Sequence, residues 1–523
     1  MVLFITVYEL ISFLFFHQNL YRLLDSDDSS ELFLATILAK ENRIMTPNWY
    51  YSTELHVLNT NLIFPIFFHF TDNWHTVRML SIVVMHIILA VSIWYFCRKA
   101  GMKKEFLPVL FAYLIPVSIT YRGIVLRRLC YLPFLVISMF GFGFLFGYLR
   151  KENSVRKRTL CFFLSCLLAF ISCVGGVRQA ASTYIPMFFS SAILILCYWA
   201  RKEKPDETTK RFLKICIPTF AAAAAGCAVN STIMHQWFHF LKYELNFCRF
   251  QFNQLITVLN GFMVLYGVKE GAVNLISLVR NGIGYLLFFL SVYSMWYGIR
   301  NRKKVSEEYY FLSLLSLCQF LLFILIYTLT DMTYLIRYAV PAVIFSFLPM
   351  ILFFRESDLF SDHRPIYAGC FIAVIGVAGL FTFYNERMRS IHNWEIDDRT
   401  EAINVLLDQG YTEGYAPFWD ANIMTELTNG KIEVWGWNMT QVILDSPDPD
   451  NIYEWLQPVS HTTQHPQGKL FIFLNDEFYQ LCKWKSLLSG HLLFENDFHV
   501  YGFESYEEMK SVLGQNLAVS SAD

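Results

Sequence analysis

Apolar stretches of roughly 20 residues recur along this chain, each long enough for a helix to cross a hydrocarbon layer. About eleven can be read, near 2–20, 75–97, 105–121, 129–149, 160–177, 183–200, 212–234, 273–298, 309–330, 338–354 and 366–384. A soluble core cannot bury that many continuous apolar helices, and with 55% hydrophobic against 16% charged residues the chain reads as an all-α polytopic membrane protein. Residues 1–18 lack a basic leading region and a small-residue cleavage site, which predicts a retained first span rather than a signal peptide.

Local charge sets the expected orientation. Basic clusters follow every second span: Arg98, Lys99, Lys103 and Lys104; Arg150, Lys151, Arg156, Lys157 and Arg158; Arg201, Lys202, Lys204, Lys210 and Arg211; Arg300, Arg302, Lys303 and Lys304. Cytoplasmic loops carry such excess, so the N-terminus is expected inside and everything after Tyr384 outside, in a plasma membrane. The expected division is a transmembrane domain over 1–384, whose first outer loop spans 21–74, and an extracytoplasmic α/β domain over 385–523. In that tail Asp397–Gln409 has helical amphipathicity, while Lys431–Trp437 and Lys469–Leu474 read as strands. The twelve cysteines fall mostly in apolar stretches and form no disulfide or zinc framework. No P-loop, dinucleotide fingerprint or basic nucleic-acid stripe is present.

The first outer loop opens on Asp25, Asp27, Asp28 and Glu31. Ionised carboxylates at a bilayer are expensive to desolvate, so a tight group of them suits acid/base or metal chemistry. Neighbouring acids raise one another's proton affinity, which improves a base. The bland alternative is a helix cap, with Asp28 or Ser29 and Glu31 forming a near capping box. These oxygens also admit a divalent metal, and no other cofactor is called for. Farther along come Trp49, Tyr50, Tyr51, Glu54 and His56, a mixture of rings and polar tips that suits sugar binding as well as an interfacial aromatic belt. A late span begins with Asp331-Met-Thr-Tyr-Leu-Ile-Arg337-Tyr338-Ala-Val-Pro341.

Together these features resemble the GT-C superfamily of lipid-linked-sugar glycosyltransferases, most closely its protein mannosyltransferase and aminoarabinose transferase branch. The resemblance covers the architecture of 1–384, with motifs near 23–65 and 331–341. It implies that an Asp early in the first outer loop is the catalytic base, with Asp27 first and Asp25 next; Asp28, Glu31, Glu54 and His56 are candidate substrate contacts. It also implies that Arg337, beside Tyr338, meets the phosphate of the lipid carrier. Guanidinium fits that task because it is always charged and offers paired donors. A snorkelling interfacial arginine is the alternative.

Arg122, Arg127, Arg128, Arg178, Lys269 and Arg280 lie on the expected outer side and ask for anionic partners. Arg178, after Gly175-Gly176, is the one assigned to substrate, because glycine lets backbone approach a ligand. Trp419, Asp420, Trp435, Trp437 and His461 could contact an acceptor or form a core.

The resulting expectation is a glycosyltransferase, inverting in mechanism, that moves a sugar from a polyprenyl-phosphate donor to a glycan, lipid or protein acceptor on the outer face. Membrane lipids are partners and nucleic acid is not. Two rivals are a transporter or flippase for lipid-linked glycans and a non-catalytic scaffold. Ionisable groups gathered at one face, rather than along a transmembrane path, favour the enzyme.

Overall fold

The computed structural model describes residues 1–55, 57–241, 246–269, 271, 275–391, 395–440, 444 and 447–519. Among them, ten helices are long and apolar enough to cross a membrane: Val2–Arg22, Trp74–Lys99, Leu132–Leu149, Val155–Val174, Val177–Arg201, Glu207–Gln236, Leu275–Arg300, Glu307–Leu329, Ile336–Glu356 and Arg364–Met388. The chain is a multi-pass membrane protein. The first residues of the expected eighth span, 273 and 274, lie outside the described residues.

The third expected span corrects the continuous reading of 105–121. It consists of Lys103–Leu114 and Ile119–Arg127, bent by 91°. Ile115 precedes a proline, is thereby disfavoured from helical geometry, and adopts φ −100°, ψ 96°. Ser118 restarts the helix, its Oγ accepting from the Tyr121 backbone N–H at 3.2 Å. The Tyr121 hydroxyl donates to the Tyr113 carbonyl at 2.7 Å, linking the two halves. A shorter apolar helix, Phe252–Leu265, was not among the expected spans.

The chain divides into two compact units, Met1–Leu14 with Ile82–Met234 and Lys242–Arg387, and Phe15–Ser81 with His235–Leu241 and Met388–Asp523. In the first, small residues let helices approach. A Cβ on Gly226 would stand 2.3 Å from the Phe170 carbonyl oxygen on the helix Val155–Val174. Gly226→Ala is therefore expected to push these helices apart and lower stability by about 1–3 kcal/mol, read as a drop in the thermal midpoint of the detergent-purified protein.

In the second unit, the acidic stretch and the tail fold together. Strands β1 (Trp49–Tyr50), β2 (Glu413–Pro417), β3 (Glu433–Trp437), β4 (Gln457–Pro458), β5 (Leu470–Asn475), β6 (Leu492–Glu495) and β7 (Phe498–Phe503) form two sheets. The larger runs β3-β2-β5-β7-β6, with β2 parallel to β3 and β5, and β7 antiparallel to β5 and β6. Alternation along β5 feeds two cores: Leu470, Ile472 and Leu474 pack with Trp437 and Trp484, while Phe471 and Phe473 pack with Leu406 and Met424. Helices Glu395–Asp408 and Phe418–Leu427 supply that second core. The tail thus holds the sheet expected of it, in one unit with Phe15–Ser81, which the expected division placed in the transmembrane domain. The smaller sheet pairs β1 antiparallel with β4, attaching the segment after the first span to the tail's own chain.

Candidate active site

The acidic stretch forms the helix Ser26–Glu41. Asp25, and not Asp28 or Ser29, is its cap: Oδ1 accepts from the Asp28 backbone N–H at 3.0 Å. Asp27 and Asp28 occupy the first turn, where the helix dipole favours negative charge. Asp25 and Asp27 are half-buried, whereas Asp28 and Glu31 are buried. Burial, and then the negative charge of Asp27, hold the Tyr453 phenol above its ordinary range, so a hydroxyl lies within electrostatic reach of this carboxylate.

Beneath the helix is an ion pair that sequence reading missed. Arg78 is 1% exposed and binds Glu426 through two bonds, Nε to Oε1 at 2.7 Å and Nη2 to Oε2 at 2.7 Å. The same Nη2 donates to the Asp28 carbonyl at 2.9 Å. Asp28 and Glu31 both act electrostatically on this guanidinium, and Glu31 Oε2 accepts from Thr60 Oγ1 at 2.7 Å. Ser26 Oγ donates to the Phe418 carbonyl, and Asn422 Nδ2 to the Leu456 carbonyl at 3.1 Å. The helix start is thus held by the tail.

Glu54 is buried, its backbone N–H donating to Ser52 Oγ at 3.4 Å. His56 lies outside the described residues. The nearby rings are core: Trp49 is fully buried against Phe33, and the Tyr51 hydroxyl donates to the Thr46 carbonyl at 3.2 Å. In the tail, Trp435 stacks on His461 at 4.3 Å, Trp437 stacks on Tyr415 at 5.0 Å, and Asp420 pairs with Arg399 at 2.7 Å. Trp419 alone of those five is exposed. His461 Nε2 bonds Glu433 Oε1 at 2.9 Å.

Burial alone would raise the Glu433 carboxyl, but the hydrogen bond and charge of His461 outweigh it and hold the group below its ordinary range. A depressed carboxyl stabilises the fold above the unfolded value of about 4.3, and that contribution disappears as pH falls through the lower folded value. The thermal midpoint is accordingly expected to drop across this acid window, and Glu433→Gln to flatten the slope in a pH series of melts.

In the membrane unit, Arg178 sits in the first turn of Val177–Arg201, its guanidinium 5.1 Å from the Tyr131 ring, 5.6 Å from Phe134 and 5.1 Å from Tyr338. Arg337, in the short turn Ile336–Ala339, lies 5.9 Å from the same Tyr338 ring. The structure therefore gathers Arg178, Arg337 and Tyr338 around one ring. Arg178 and Tyr338 line a cavity of about 560 Å³ whose other walls include Phe189, Phe323, Ile326 and Pro341. A π-helical segment, Ala180–Tyr184, follows Arg178, and Gln179 steadies it by donating to Thr183 Oγ1 at 2.9 Å. Such segments recur at functional sites. Segment 246–251 edges the cavity at Phe247; Asp331 holds it, accepting from the Asn246 backbone N–H at 3.0 Å and from Nδ2 at 2.9 Å.

Two of the other cations expected on the outer side are partnered within the protein. Arg122 pairs with Glu386 and donates to the Tyr8 hydroxyl at 2.8 Å, and Arg127 lies 3.7 Å from the same carboxylate. Among the described residues, no three His, Cys, Asp or Glu side chains converge to hold a metal ion.

An apolar slot with a guanidinium in its wall fits a ligand that joins hydrocarbon to an anion. Two solved structures of ArnT from Cupriavidus metallidurans, one bound to undecaprenyl phosphate and one in the apo state, superpose with TM-scores of 0.56 and 0.57 at 11% and 10% identity. Each match covers 96% of this chain and 97% of the ArnT chain. The chain has the ArnT fold. No protein-family model and no curated protein sequence matches it. ArnT is an aminoarabinose transferase of GT-C architecture, so the fold implied by the resemblance is present over nearly the whole length, the tail included.

Proposed function

We propose that this chain is a glycosyltransferase that moves a sugar from a polyprenyl-phosphate carrier to an acceptor on the outer face of a plasma membrane, with the N-terminus inside and the tail outside. The observation that carries this reading is the apolar cavity with Arg178 in its wall, within a fold shared with a protein solved bound to undecaprenyl phosphate.

In the proposed reaction the acceptor hydroxyl attacks the anomeric carbon while Asp27, or Asp25, takes its proton. The bond from that carbon to the phosphate oxygen breaks, its electron pair stays on oxygen, and polyprenyl phosphate leaves. Attack opposite the leaving group inverts the anomeric centre. Arg337 and Arg178 neutralise the phosphate as its charge grows. Asp28 and Glu31, buried against Arg78 and Thr60, set the charge beneath Asp27, and Glu54 with His56 contacts substrate hydroxyls. A divalent metal would add to the charge already at the phosphate; the basic side chains here supply that charge themselves.

The test is transfer by the reconstituted protein from a panel of radiolabelled polyprenyl-phosphate sugars to membrane-glycan acceptors, with Arg337→Ala alongside. Transfer that collapses in the variant while its thermal midpoint holds supports the reading. Movement of intact lipid-linked glycan across the bilayer, with no transfer from any donor, would establish the flippase instead.

A further inference from the structure

The helix Val177–Arg201 that carries Arg178 near its start ends, roughly 30 Å farther along, at a second cavity. This cavity has a volume of about 750 Å³ and lies where two helices end, at Arg201 and Arg300, and two begin, at Glu207 and Glu307. Its two kinds of wall differ sharply. Leu194, Ile299, Phe311 and Leu314 form an apolar side, while Arg201, Lys204, Arg300, Arg302 and Lys303 form a basic rim.

Arg302 is fixed in place. Its Nη2 bonds Asp206, the Tyr198 hydroxyl at 2.6 Å and Thr209 Oγ1 at 3.0 Å, and its guanidinium lies 5.3 Å from the Tyr198 ring and 4.9 Å from the Tyr310 ring. Asp206 is occupied a second time as the cap of the following helix, accepting from the Thr209 backbone N–H at 2.7 Å. Glu307 accepts from Thr208 at 2.6 Å. Among the described residues, that leaves Arg201, Lys204, Arg300 and Lys303 on the rim in no ion pair, although Glu203 also lines the cavity.

Helix dipoles and the charge bias of membrane loops account for Arg201 and Arg300, which end their helices. They do not account for a preformed cavity that joins unpaired cations to an apolar wall. Trp199 and Trp296, exposed on the same helix ends, mark the depth at which lipid headgroups meet hydrocarbon. We infer that this cavity binds an anionic phospholipid, the phosphate on the Arg201, Lys204 and Lys303 rim and the acyl chains along Leu194, Ile299 and Phe311. A soluble phosphate would use the rim alone. The inference is independent of the reaction the chain performs.

The test is native mass spectrometry of the full-length protein, released from detergent after incubation with equal phosphatidylglycerol and phosphatidylcholine, with and without millimolar glycerol phosphate. Retention of phosphatidylglycerol is expected to exceed that of phosphatidylcholine by about tenfold or more, and to become equal in the variant Arg201→Gln/Lys204→Gln/Lys303→Gln. These side chains are exposed, so the fold should survive their loss; Lys204→Gln alone, in a loop, should give a smaller change of the same sign. Equal retention of the two lipids by the wild type, or an unchanged preference in the triple variant, overturns the inference. Displacement of the lipid by glycerol phosphate assigns the rim to free phosphate and overturns the lipid as its ligand.

Discussion

Replacing Asp27 with Asn is expected to slow sugar transfer by about 10²- to 10⁴-fold, the range a positioned general base contributes, while the protein remains folded. The change is nearly isosteric, and the helix Ser26–Glu41 keeps its cap because that cap is Asp25. Asp25→Asn supplies the matching control. Asn caps helices about as well as Asp, so this substitution removes a base without removing the cap. The two variants therefore divide the chemistry between two neighbouring carboxylates, and single-turnover transfer from a labelled donor reads the difference. Loss in Asp27→Asn alone assigns the base to Asp27, and loss in Asp25→Asn alone assigns it to Asp25. Full activity in both would remove the acidic turn from the mechanism.

The largest effect on stability is expected at Glu426. Glu426→Gln takes from the buried Arg78 guanidinium the carboxylate that bonds it twice, and removing one partner of such a pair lowers stability by about 3–5 kcal/mol. A drop of that size would appear as poor yield and a much lower unfolding midpoint. Removing both charges, as Arg78→Met with Glu426→Leu, should recover much of the stability, since a well-packed apolar pair avoids the desolvation that the ions suffer. It would not recover the bond from Arg78 to the Asp28 carbonyl at 2.9 Å. The double variant is accordingly expected to be stable yet slow in transfer. A double variant as unstable as Glu426→Gln would show that the pair matters through packing rather than charge.

Features set by local composition could be read from the chain, and features set by distant partners could not. Hydropathy located the spans because crossing a membrane is a demand on one continuous segment. The bend in the third span escaped a window average, since Pro116 and Ser118 change geometry while scarcely changing hydrophobicity; the pre-proline rule at Ile115 was the available signal. The acidic turn was visible, but its cap lay three residues earlier than the near capping box suggested. Arg178 was singled out by the glycines before it, and its neighbours Tyr131, Phe134 and Tyr338 come from spans far apart in sequence. Glu386, which answers Arg122 and Arg127, and Glu426, which answers Arg78, are ordinary glutamates until the fold brings them in. The setting of Trp49 and Tyr50 likewise depends on a distant segment, since the strand that pairs with them is β4, in the tail.

The Arg78–Glu426 pair also has a consequence for biosynthesis. Its members are separated by 348 residues, so a ribosome makes the arginine and the acidic turn long before it makes the glutamate that holds them. Until the tail has been translated, the guanidinium beneath the Asp28 carbonyl lacks the carboxylate that bonds it twice, and the turn bearing Asp27 lacks the support that comes from the tail. A transferase of the proposed kind would therefore acquire its positioned acidic turn only once the last segment has been made.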